Sequence, residues 1–251
     1  MGTGSILITG ASSGLGAEMA RQFAALGYDL ALCARRTERL DELTREIAAA
    51  YPGVRVRTAA LDVTDFDAVP RVFDEFAAEL GRLDRVIVNA GLGKGVPFGK
   101  GGDRPNRETA TTNFLGAMAQ TEAAMKIFRA QGGGHLVVIS SISAVRGMPK
   151  TMTAYGASKA AVAAMAEGIA AENVPGVDVS IIYPGYIASE MNDKAAHPPT
   201  FLVDTRTGVR SMVSAIEKRR FKAYTPTWPW LPLSYAMKVL PLSIVRRVAG
   251  M

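Results

Sequence analysis

Thr9-Gly10-Ala11-Ser12-Ser13-Gly14-Leu15-Gly16 joins an apolar run, residues 5–10 (SILITG), to a segment of helical periodicity at residues 14–26. Glycine allows a tight turn and close approach of backbone to a pyrophosphate, and a helix N-terminus offers free N–H groups and positive potential. The spacing is Gly-x3-Gly-x-Gly. It departs from the Gly-x-Gly-x-x-Gly dinucleotide fingerprint, and no Gly-Lys-Ser/Thr follows, so it is not a P-loop. Taken alone, the stretch is either a phosphate-binding turn or an ordinary link between a strand and a helix.

Outward from this turn, short β-rich runs alternate with helical patterns. Residues 29–35 (DLALCAR), 54–62, 85–91 (RVIVNAG), 135–141 (HLVVISS), 178–185 (DVSIIYPG) and 221–225 read as strands. Helices are expected over 37–51 with Thr37 as N-cap, over 65–80 with Gly81 beyond its end, over 155–173 and over 207–220. Another runs from a Gly-rich loop at 92–105 to about residue 131. The strands are nearly continuous apolar runs, which suits a parallel sheet covered on both faces. The expected fold is therefore α/β: a Rossmann-type, doubly wound, mostly parallel sheet of about seven strands with helices on both faces. Ligands of such sheets bind beyond the carboxyl ends of the strands. The chain reads as one dinucleotide-binding catalytic domain over 1–251, with a substrate loop at 186–204 and a tail at 226–251. Pro229, Pro232 and Pro241 forbid one long helix in that tail.

Composition limits the alternatives. The chain has 251 residues, of which 48% are apolar and 21% charged, an ordinary balance for a globular protein that needs no staples. A single cysteine, Cys33, rules out an internal disulfide, favours a reducing, cytoplasmic setting and reads as a buried, inert thiol. No basic n-region or cleavage site opens the sequence, and no uninterrupted apolar stretch is long enough to span a bilayer. His135 and His197 lack metal-ligand spacing, so no metal is expected, and His135 reads as a surface turn residue opening a strand. No Gly-x-Ser-x-Gly elbow supports hydrolysis.

Two local patterns carry chemistry. The second strand ends in Arg35-Arg36, where an acid would suit the ribose of NAD and guanidinium suits a 2′-phosphate. This favours NADP(H) over NAD(H), against the plainer reading of surface charge continued by Arg39 and Arg45. Tyr155-Gly156-Ala157-Ser158-Lys159 sets Tyr155 and Lys159 four apart on one helix face. A neighbouring ammonium is expected to lower the tyrosine pKa towards the range useful in acid–base work, although such a pair on an exposed helix is often fortuitous.

Thr9–Gly16, Asp62, Asn89-Ala90-Gly91, Asn113, Ser140-Ser141, Tyr155-x3-Lys159 and Pro184-Gly185 occur in this order on one α/β chain. The ensemble resembles the short-chain dehydrogenase/reductase family from about residue 5 to residue 191. The resemblance implies that Gly10, Ser12, Ser13, Gly14, Leu15 and Gly16 line the pyrophosphate and ribose. It places Asp62 and Val63 at the adenine, and Asn89, Ala90 and Gly91 along the cofactor. Pro184, Gly185, Ile187 and Ser189 would receive the nicotinamide, with Ser189 where the family often has threonine. Tyr155 would move the proton, Ser141 would hold the substrate oxygen, Lys159 would bind the nicotinamide ribose, and Asn113 would hold a water on the proton path. The family usually sets its serine 13 residues before the tyrosine, where this chain has Ile142. Ser141 is favoured over Ser143 on the premise of a one-residue insertion between 143 and 154.

The substrate loop carries Met191, Pro198, Pro199 and Phe201, and the tail Trp228, Trp230, Leu231 and Met237. They imply a small-molecule ketone or alcohol with a hydrophobic, lipid- or steroid-like part, or else simply pack the tail. From Arg206 onwards nine Lys/Arg face one acid, Glu217, so this segment carries +8 against −2 for the remainder, and the chain's net charge of +6 resides in its C-terminal fifth. Residues 231–248 mix apolar side chains with Lys238, Arg246 and Arg247, which suits either peripheral membrane contact or a subunit interface. The family resemblance implies a homodimer or homotetramer. Nucleic-acid binding is disfavoured because no recognition motif accompanies the charge. A cofactor-binding sensor or scaffold without turnover is the alternative reading.

Overall fold

The structure, a computed structural model, describes residues 4–190 and 201–244. Seven parallel strands form one sheet in the order β3-β2-β1-β4-β5-β6-β7. They are β1 Ser5–Thr9, β2 Asp29–Ala34, β3 Val56–Ala60, β4 Arg85–Val88, β5 Gly134–Ile139, β6 Val177–Pro184 and β7 Lys222–Thr225. The helices are α1 Gly14–Ala25, α2 Thr37–Ala50, α3 Ala68–Leu80, α4 Arg104–Ala110, α5 Gly116–Gln131, α6 Thr153–Ala171, α7 Thr205–Glu217 and α8 Thr227–Val239. A π-helical turn, Thr111–Leu115, connects α4 to α5. The expected Rossmann-type fold is the one observed.

Both faces of the sheet are buried at its central strands, whereas the edge strand β3 has no buried residue. Ile6, Ile8, Leu30 and Leu32 pack with residues of α1, α2 and α7 on one side, whereas Leu7, Val86, Val88 and Leu136 pack with α3, α5 and α6 on the other. Double-sided burial explains the uninterrupted apolar runs in β1, β2, β4 and β5. Strand order reverses between β1 and β4, opening a crevice beyond their carboxyl ends.

Two local expectations are corrected. Arg36, not Thr37, occupies the N-cap position of α2, and Thr37 is its first residue. His135 is fully buried instead of lying in a surface turn. Its Nδ1 accepts from Arg85 Nε at 3.0 Å, and its Nε2 lies 2.8 Å from Ser180 Oγ. Burial first, and then the Arg85 charge, hold its pKa down at about 3, so the ring is a neutral bridge between strands. The tail prolines forbid one long helix, as expected: α8 stops at Val239, ahead of Pro241. Trp228 is non-helical, and Pro229 and Pro232 fall in the turn that follows, where helical N–H groups lack intrahelical partners. Cys33 is buried, and desolvation pushes its thiol up to about 12, as an inert thiol requires.

Candidate active site

The glycine turn floors the crevice. Gly10 and Gly14 adopt φ of +64° and +53°, a region costly for residues with a Cβ. A Cβ on Gly10 would lie 2.9 Å from Ala90 Cα, so β1 and β4 approach as closely as backbone permits. Asn89 fixes this approach by donating from Nδ2 to Thr9 O at 2.8 Å, while Thr9 Oγ1 accepts from the N–H groups of Asn89 and Ala90. Ser13 precedes α1 but makes no side-chain capping bond; its Oγ accepts from Arg36 Nη2 at 2.6 Å. The first turn of α1 thus keeps its N–H groups directed at the crevice, a donor set that fits an anionic diphosphate.

The other walls bring most of the expected residues together. Ser12, Leu15, Gly16, Arg35, Arg36, Asp62, Val63, Asn89, Ala90, Gly91, Ser141, Tyr155, Lys159, Pro184, Gly185, Ile187 and Ser189 all line the same crevice. Asp62 closes on itself through Thr64 and faces Arg35 at 3.8 Å. Ser143, the alternative serine, also lines the crevice; its N–H donates to Ser141 Oγ at 3.1 Å. Of the two serines, it is Ser141 whose side chain hydrogen-bonds Tyr155. Asn113 lies just behind the wall, in the π-helical turn. Its Oδ1 accepts from Leu92 N at 2.7 Å, and its Nδ2 donates to Leu92 O and Ser158 Oγ.

Lys159 requires a correction. Its Nζ donates to Ile139 O at 2.8 Å. Burial, not an ammonium, dominates the surroundings of Tyr155: its pKa is raised above the ordinary 10, with Ser141 opposing and Tyr186 adding to the rise. The expected lowering by Lys159 is therefore absent, because the cation is turned to the β5 carbonyl.

Lys159 itself is driven down to about 8 from 10.5 by desolvation. Between those values the unfolded chain binds more protons than the folded one, so this group's contribution to stability rises with pH across that window. Below about pH 8 the folded chain carries the whole cost, on the order of 3 kcal/mol. Lys159→Met should therefore gain most against wild type below pH 8, with its advantage shrinking towards pH 10.5. Loss of the bond to Ile139 offsets the gain by a pH-independent amount. Denaturant unfolding at several pH values measures the difference; a gap constant from pH 7 to 10 would refute the assignment.

Sequence reasoning missed two residues at this site. Tyr186 packs edge-on against Trp230 at 5.3 Å between ring centroids. Glu190 lines the mouth and pairs with Arg36 at 3.1 Å and with Arg39. Of the expected apolar substrate cover, Trp230 is buried against Gly185, and Phe201 meets it edge-on at 6.1 Å. Trp228 is 77% exposed and is not part of the crevice lining. Met191, His197, Pro198 and Pro199 of the substrate loop lie outside the described residues, as do Arg246 and Arg247 of the tail.

The family model described as short chain dehydrogenase matches residues 5–199. The chain belongs to the short-chain dehydrogenase family. An uncharacterised oxidoreductase of Mycobacterium tuberculosis is 50% identical over 97% of this chain and 96% of its own. An 11-beta-hydroxysteroid dehydrogenase of Arabidopsis thaliana is 34% identical over 94% of this chain and 71% of its own. Among solved structures, a short-chain dehydrogenase from Sphingobium yanoikuyae in complex with NADPH superposes with a TM-score of 0.82 at 27% identity, covering 96% and 98% of the two chains. Among the described residues, this family member has no cluster of side chains able to hold a metal ion and no helix long and apolar enough to cross a membrane.

Proposed function

We propose that this short-chain dehydrogenase is an NADP(H)-dependent oxidoreductase interconverting a carbonyl and a secondary alcohol on a substrate with a hydrophobic part. The observation that carries the reading is one continuous crevice, with the glycine turn and Arg35-Arg36 at one end and Tyr155 beside Ser141 at the other. When bound, the nicotinamide supplies or accepts the hydride. Tyr155 gives the substrate oxygen a proton in reduction and removes it in oxidation. Ser141 donates to the oxygen as negative charge develops, a task worth a few kcal/mol in such sites. Lys159 holds ribose hydroxyls from the crevice floor, and Asn113 fixes the backbone of Leu92 behind it. Tyr186 lines the crevice, and Trp230 and, behind it, Phe201 back it through ring contacts, an apolar surround that suits a bulky carbonyl; the Arabidopsis relative is named for a steroid. The exposed Trp228, Tyr235 and Val239 on α8, beside Lys238, suit a subunit or membrane contact outside the crevice.

The cofactor preference is tested through Arg36. Arg36→Asp removes one guanidinium from the 2′-phosphate and adds a like charge. NADPH affinity should fall about 10- to 100-fold, the range expected for a charged hydrogen bond. NADH affinity should hold or improve. Titration of both cofactors, followed by oxidation assays over small polar and bulky apolar ketones, measures preference and substrate class together. Unchanged NADPH affinity would overturn the cofactor assignment, and turnover confined to small polar ketones would overturn the substrate class.

A further inference from the structure

Glu190 stands at the adenosine end of the crevice, far along the chain from the residues it contacts. The segment after β6 crosses directly over the glycine turn: Ser189 Cβ is the nearest atom, at 3.4 Å, to a Cβ built on Gly14. This crossing is pinned by an isolated bridge between Ile187 and Val203 and by Ala188 N donating to Val203 O at 2.9 Å. Glu190 is thereby delivered to the arginines beyond β2. Its Oε2 accepts from Arg36 Nη1 at 3.1 Å, and its Oε1 accepts from Arg39 Nη1. Arg36 is also tied to the turn, donating to Ser12 Oγ at 3.3 Å and to Ser13 Oγ. A carboxylate spanning two guanidiniums uses the same planar donors that would grip a phosphate. Three arginines, 35, 36 and 39, here face two acids, Asp62 and Glu190. The acids leave one net positive charge to meet an incoming phosphate dianion.

We propose that Glu190 is a cofactor-specificity residue: its carboxylate occupies Arg36 and Arg39, the guanidiniums a ribose 2′-phosphate would use, and competes with that phosphate. The proposal rests on the NADP(H) reading and refines it. Glu190 moderates the preference that Arg36 creates, because a 2′-phosphate must displace it while an unphosphorylated ribose need not. The neighbouring Arg39 and Arg36 hold the carboxyl below its ordinary pKa, so the competitor is ionised throughout the neutral range. Both pairs are about half exposed, so the competition is modest and weakens with salt.

The test uses the cofactor-free protein and two adenine nucleotides lacking nicotinamide, adenosine 2′,5′-bisphosphate and 5′-AMP, titrated calorimetrically. Glu190→Gln should tighten the bisphosphate by about three- to tenfold and leave 5′-AMP unchanged. Combining it with Arg39→Ala should remove most of that gain. A silent Glu190→Gln, or equal tightening of both nucleotides, would overturn the competition. Failure of the cofactor reading itself looks different: wild type would then bind the two nucleotides alike, and Arg36→Ala would change neither.

Discussion

Tyr155→Phe should lower kcat for carbonyl reduction by about 10²- to 10⁴-fold, the usual contribution of a positioned acid–base group. The substitution removes one hydroxyl and keeps the ring that fills this part of α6. Tyr155 ionises above the ordinary range because burial disfavours the phenolate. The side chain therefore holds its proton across neutral pH, the state needed to donate to a substrate oxygen. Ser141 remains to orient the substrate but has no comparable proton to give. NADPH affinity should stay within about threefold of wild type, since the glycine turn and Arg36 are untouched, and stability should fall by only about 1 kcal/mol for the lost hydrogen bond. Steady-state kinetics beside cofactor titration measure both. A loss confined to KM would mean that Tyr155 only positions substrate. Full turnover in the variant would remove the proton-transfer role, and a wild type that binds NADPH without turning over any carbonyl would favour the sensor reading.

Sheet and glycine turn were legible in the sequence because their signals are local and redundant. Residues 5–10, 29–35 and 85–91 are nearly continuous apolar runs, and glycines stand where the turn after β1 takes positive φ and meets the backbone of Ala90. Tyr155 and Lys159 were legible as a pair for the same reason, their i, i+4 spacing. What Lys159 does was not. Its direction depends on the carbonyl of Ile139, twenty residues away on another element, and no spacing reports which acceptor an ammonium will choose. His135 was misread on the same grounds, since Arg85 and Ser180 reach it from neighbouring strands. Ser141 stood one residue away from the usual spacing, and its selection over Ser143 turns on which hydroxyl reaches Tyr155. Glu190 gave no signal at all. It lies in an irregular stretch without periodicity, and its partners, Arg36 and Arg39, are some 150 positions earlier.

Gly16→Ala should be the most damaging single-methyl change in the glycine turn. A Cβ there would lie 2.3 Å from Gly10 O, 2.9 Å from Gly10 C and 2.8 Å from Asn89 Nδ2. Two of these are backbone atoms and cannot rotate away. Gly10 has little room to retreat, because the backbone of Ala90 just beyond β4 stands against it, and Asn89 Nδ2 is committed to Thr9 O. The turn must open and carry the first N–H groups of α1 out of register with a diphosphate. Overpacking of this kind costs about 1–3 kcal/mol of stability. The loss in NADPH binding should be larger, about 100-fold or more, since misplacement by an ångström suffices to undo a positioned site. Gly14→Ala separates the two sources of damage. Among the described residues its Cβ meets only Ser189 Cβ at 3.4 Å, so its cost is that of the positive φ, roughly 1–2 kcal/mol. Gly168→Ala, in α6 with nothing within 4 Å of the added carbon, should stabilise slightly. Thermal unfolding and NADPH titration of the three variants should rank Gly16 below Gly14 below Gly168 in both readouts. If Gly16→Ala binds NADPH within threefold of wild type, the turn is not the diphosphate site. The dinucleotide would then have to lie elsewhere, although Arg36 and Tyr155 mark the two ends of this crevice.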